Sequence, residues 1–90
     1  MAKIMLESIS IIYTGKLYGN TYRASVQKMN AGERRWRAFV GKQYNGFGGQ
    51  VQEIIFTDRF NSEERAVSAA IIALANDMRE AMTEKELFYV

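Results

Sequence analysis

The stretch "RRWRAFVG", residues 34–41, sets three arginines, a tryptophan and a phenylalanine in eight positions. Guanidinium groups pair with phosphates and carboxylates, and aromatic rings stack on bases. The chemistry on offer is recognition of an anion. Residues for making and breaking bonds are scarce. The chain has no histidine and no cysteine. That removes the commonest general base, the commonest zinc ligand and the thiolate nucleophile. Acid–base work would fall to Asp, Glu, Lys or Tyr, and no pair of these is marked by spacing. Asp77, Glu80 and Glu84 lie along one stretch of helix, but a carboxylate metal site needs ligands from other elements as well. The expectation is a chain that is not an enzyme, with no catalytic residue, no metal and no cofactor.

"GKQYNGFGGQ", residues 41–50, has the glycine content of a phosphate-cradling loop. It does not close with Gly-Lys-Ser/Thr, no helix starts directly after it, and dinucleotide spacing is missing. It reads as a hairpin loop. Lys42 and Tyr44 then stand at its mouth, where they extend a binding surface.

Charge is divided along the chain. Residues 1–50 carry eight basic side chains against two acidic ones, a net of +6. Residues 51–90 carry four against eight, a net of −4, so the overall +2 conceals two halves of opposite sign. Charge segregated in sequence tends to become charge segregated on the surface, where it steers partners of the other sign.

These residues must be held by some framework. Ninety residues, 48% hydrophobic and 24% charged, make one ordinary small domain, 1–90. The N-terminal stretch has no clean apolar run of the length a signal peptide or a membrane span needs. A cytoplasmic protein that does not enter a membrane is expected. "YGN" (18–20), "NAG" (30–32) and "NGFGG" (45–49) are turn clusters between segments rich in β-branched and aromatic residues. Strands are predicted at roughly 3–14, 21–29, 33–42 and 50–57, joined as an antiparallel meander.

After Ser62 the period changes. Val67, Ile71, Leu74, Met78 and Met82 recur at helical spacing, among alanines that favour helix. Asn61 or Ser62 can cap the start, and Glu63 and Glu64 suit the positive end of the helix dipole. A helix over about 62–82 is predicted, with "ELFYV" as a short strand or a tail. The fold class is α+β: a four-stranded antiparallel meander with one C-terminal helix packed on one face, ββββα.

Period-two alternation assigns the faces. Tyr22, Ala24, Val26, Trp36, Ala38, Val40, Ile54 and Phe56 are predicted to face the helix. Arg23, Arg35, Arg37 and Phe39 then share the uncovered face, with Ile55 adding apolar area. On the outside of the helix, Ala69, Ile72 and Ala73 offer a contact for a homodimer.

The order of four antiparallel strands and one helix, with "TYRASVQKMNAGERRWRAFVG" as its basic hairpin, resembles the Whirly, Pur-alpha and transcriptional-coactivator group of single-stranded DNA binders. That resemblance implies binding of nucleic acid on the sheet. "NSEERAVSAAIIAL" after three strands is similar to a double-stranded-RNA-binding domain, but Glu63 and Glu64 occupy the place of its phosphate-gripping lysine pair. In size and style the whole chain is similar to phage-encoded inhibitors of host defence, anti-CRISPR proteins among them. That likeness implies a protein that acts by occupying a surface.

The leading expectation is a non-catalytic binding module. Its basic sheet face (Arg23, Arg35, Arg37, Phe39, Lys42, Tyr44) would dock on single-stranded nucleic acid or a nucleoprotein complex. The alternative is an inhibitor that blocks a host protein by direct contact.

Overall fold

The computed structural model describes residues 9–30 and 32–89, with side chains as far as Lys85. Four strands, β1 (Ile9–Leu17), β2 (Asn20–Lys28), β3 (Trp36–Gly46) and β4 (Gly49–Phe60), precede one helix, α1 (Glu63–Tyr89). The strands form one antiparallel sheet in the order β1-β2-β3-β4. The ββββα architecture is the one the alternation and the late change of period imply.

The strands are longer at the turn ends than the turn clusters suggest. Leu17 pairs with Asn20, so the first turn is only Tyr18–Gly19, both at positive φ (50° and 83°). Two such residues match the twist of a tight hairpin. Gly46 pairs with Gly49, so the third turn is only Phe47–Gly48. The predicted first strand began at residue 3; residues 3–8 lie outside the described residues.

Helix α1 starts where the capping residues place it. The Ser62 hydroxyl accepts from the Arg65 N–H at 3.3 Å, and the Ser62 carbonyl accepts from the Ala66 N–H at 3.2 Å. It ends at Tyr89 rather than near residue 82, so "ELFY" is helical. No glycine or proline stands after Ser62 to stop it. At about 1.5 Å per residue, its 27 residues span roughly 40 Å. That matches the length of the 12-residue β4.

The helix meets the sheet on a stripe that shares Val67, Leu74 and Met78 with the predicted one but is rotated toward the alanines. Ala66, Ala70 and Leu74 are buried, with Val67, Ala73 and Met78 packed at their flanks. Ile71 and Met82 are 46% and 42% exposed. The sheet floor beneath is Ala24 and Ala38 between Tyr22, Val26 and Val40. Alanine against alanine lets the two layers approach closely, and a wider side chain such as Ile71 is turned to the margin. Trp36 is half-buried at the start of β3, packed against this core.

A bulge separates Val40/Phe56 from Gly41/Ile54, leaving Ile55 as the extra residue of β4. Each bulge shifts the alternation by one. Ile55 therefore packs against the core, and Ile54 takes the uncovered face at 61% exposure. This reverses the sequence assignment of both residues.

Helix α1 lies over β2, β3 and β4. The molecule measures 55 × 30 × 16 Å, and 16 Å is one sheet plus one helix. The second face of the sheet has no covering layer among the described residues. No helix among them is long and apolar enough to cross a membrane.

Candidate binding face

Directly paired residues of an antiparallel ladder share a face. Three rows therefore define the open side. Arg37 stands between Gln27 and Arg59, Phe39 between Ser25 and Thr57, and Gly41 between Arg23 and Ile54. Lys16, paired with Thr21, adds a fourth cation from β1. By the same pairing Glu53 and Asp58 belong to the helix side, opposite Lys42 and Ala38. The remaining described carboxylates after β4 lie on α1. Thus Lys16, Arg23, Arg37 and Arg59 share a face on which register places no carboxylate among the described residues.

Arg37 and Arg59 are direct cross-strand partners. Like charges in that position repel. The Arg37 Nε donates to Thr57 Oγ1 at 3.0 Å, and its guanidinium carbon stands 5.2 Å from the centre of the Phe39 ring. One hydrogen bond and one cation–π contact thus fix its direction. The ring leans over Gly41: a Cβ there would lie 3.2 Å from Phe39 Cε1. Glycine at the bulge makes room for the ring to lie along the strand. A shallow hollow of about 330 Å³ opens beside it, lined by Thr21, Arg23, Phe39, Gln43, Gln52 and Ile54. Gly41, Lys42 and Glu53 complete its lining. Ile9 and Ile11, 61% and 57% exposed, continue the apolar area onto β1.

Of the six expected site residues, the structure brings Arg23, Arg37 and Phe39 together on this face. Arg35 lies just before β3, in the connection. Its Nε donates to the Gly32 carbonyl at 3.1 Å, and its own carbonyl accepts from the Met29 N–H. Lys42 and Tyr44 are not at a loop mouth. They lie inside β3 on the helix side, because the strand continues to Gly46 and even-numbered positions there face α1. The Lys42 ammonium is 3.7 Å from Asp77 Oδ2 and 3.9 Å from Glu53 Oε1, and it stands 5.7 Å from the Tyr44 ring.

Below Lys42 lies Tyr22, fully buried. Its hydroxyl makes no hydrogen bond of normal geometry, although Asp77 and Asn20 lie close enough to act on it. Burial first, and the Asp77 charge second, raise its pKa above the usual phenol value, with Lys42 opposing. This cluster ties helix to sheet through Lys42 and Asp77. No group of three or more metal-ligating side chains occurs among the described residues.

Sequence reasoning did not single out Arg59 and Ile54. Neither has a local signal, since both reach the open face through the β3/β4 register and its bulge. On the outside of α1, Ile72 is 60% exposed beside a shallow hollow with Phe60 and Ala69. Ala73, expected to join them, packs toward the core instead. No protein-family model, no curated protein and no solved structure matches this chain.

Proposed function

We propose that this chain is a non-catalytic binding module that docks its open sheet face on a polyanion, single-stranded nucleic acid above all. The observation that carries the reading is the directly opposed Arg37 and Arg59, with Arg23 two rows away beyond Phe39 and no carboxylate placed among them by register. A phosphate seated between two such guanidiniums would remove their mutual repulsion and gain charge-assisted hydrogen bonds. Phe39 and the hollow beside Gly41 supply a flat apolar contact for a base. Lys42 and Tyr44 belong to the helix contact in this reading, and Arg35 touches the ligand only from the end of the face.

The test is anisotropy of labelled single-stranded DNA and RNA oligonucleotides, titrated at several salt concentrations. Binding should weaken steeply with salt, because each neutralised phosphate releases counterions. Arg37→Ala with Arg59→Ala should weaken binding at low salt and lower the salt slope by about two. Absence of oligonucleotide binding by the parent overturns the reading.

One observation favours a second reading. Ile11 and Ile54 are each more than half exposed on the same face, which suits an apolar protein contact better than a phosphate chain. An inhibitor of the anti-CRISPR type, seated on an acidic patch of a host protein, would use these residues. Its binding would persist at high salt and depend on Ile54.

A further inference from the structure

Among the described residues, the sheet order leaves one free edge on β1 and one on β4. A free edge exposes unpaired N–H and C=O groups that another strand can complete. The two edges are unlike. Strand β4 carries Glu53, Asp58 and Arg59 and is bent by the Ile55 bulge. Both edge strands carry a bulge, so what sets β4 apart is its charge, which blunts an edge. Strand β1 opens with "ISIIYT", six residues with no charge, no glycine and no proline. Ile9, Ile11 and Tyr13 are 61%, 57% and 39% exposed, and α1 spreads its contacts over the other three strands. Short uncharged segments of high β-propensity pair with strands whenever they are left open.

We propose that β1 is a dimerisation edge, pairing antiparallel with β1 of a second copy to join two four-stranded sheets into one of eight. The occupant follows from charge and closure. An uncharged strand is its own complement, so no like charges meet at a two-fold axis near Ile11, and the two Lys16 side chains stay apart. Pairing β1 with β4 of another copy would set Glu53 and Asp58 beside the apolar strand and would continue without end. Stacking two open faces would oppose the arginines. Edge pairing sets the two basic faces side by side on one surface and both helices on the other. The bulge between Ile11 and Tyr13 twists the strand, and it confines the shared ladder to the part of β1 around Ile11. This inference stands without the ligand reading, since it uses no cation of the open face.

Light scattering and sedimentation of the full chain test it. The parent should show twice the 10.3 kDa chain mass, and Ile11→Lys should halve that mass while keeping the far-ultraviolet circular dichroism of the parent. Because the chain has no cysteine, Ile11→Cys should cross-link to a covalent dimer on mild oxidation, and Ile72→Cys should not. The cross-link decides the matter if the lysine variant fails to fold. A monomeric parent at high concentration overturns the proposal. So does an open-ended polymer, or a dimer that Ile72→Arg dissociates and Ile11→Lys does not.

Discussion

Tyr22 shows how a single atom can matter in a small core. Its ring is fully buried in the helix–sheet core, and its hydroxyl has no partner of normal geometry. A buried hydroxyl without a partner forfeits part of its hydration. Tyr22→Phe should therefore be neutral or stabilising by up to about 1 kcal/mol in urea melts at neutral pH. The phenol also has a raised pKa in the fold. The native state then holds its proton where the unfolded chain releases it, so stability is unaffected below about pH 10 and falls as pH rises beyond that. Comparing parent and Tyr22→Phe between pH 9 and 11 isolates this residue: the parent should lose more stability. Equal losses would show that Tyr22 titrates freely. Gly41 makes the corresponding case on the open face. A methyl there presses on the Phe39 ring at Cε1, so Gly41→Ala should leave the melt nearly unchanged and weaken oligonucleotide binding by displacing the ring.

At the level of the element, the helix stripe makes the sharpest prediction. Ala70 is fully buried against the sheet, and Ile71 beside it is 46% exposed. Ala70→Leu should cost about 1–3 kcal/mol by overpacking. Ile71→Gln should change stability by under about 0.5 kcal/mol. The reverse order in urea melts would put the helix on the stripe that hydropathy alone suggests. Hydropathy misleads here because it ranks residues by transfer energy, whereas a helix lying flat on Ala24 and Ala38 selects for small volume. Leu74 belongs to both stripes, so Leu74→Asp should abolish folding, since a buried unpaired charge costs as much as a small domain's stability.

For the whole molecule, the net charge of +2 understates how it should behave. The cations of the open face and the exposed carboxylates Glu80 and Glu84 of α1 lie on opposite layers of a slab 16 Å thick. Retention on immobilised heparin should follow the face, not the net charge. Replacing Arg37 and Arg59 by Gln should abolish retention above physiological salt. Replacing Glu80 and Glu84 by Gln, which raises net charge by the same amount, should leave it nearly as it was. Equal and opposite shifts would show that the whole molecule acts as one diffuse charge.

Strand and helix types, their order and the single antiparallel sheet were legible along the chain. They depend on local properties: turn residues, period two, then period near four. So was the separation of charge, because one covered face and one open face must divide a sequence whose two halves differ in sign. Arg23, Arg37 and Phe39 could be placed on one face by counting along β2 and β3. Counting failed in β4, where one bulge exchanges Ile54 with Ile55 and brings Arg59 opposite Arg37. A bulge is a property of two strands together and leaves no mark on either alone. Lys42 and Tyr44 were misplaced for a related reason: a glycine-rich stretch fits a loop or a tight hairpin equally well, and the partner strand decides which. The helix's choice of alanines over isoleucine was likewise decided only when a flat alanine floor lay beneath it. Local chemistry determined which elements form and which charges they carry. Pairing and packing, which join residues far apart in the chain, decided which of those charges share a face.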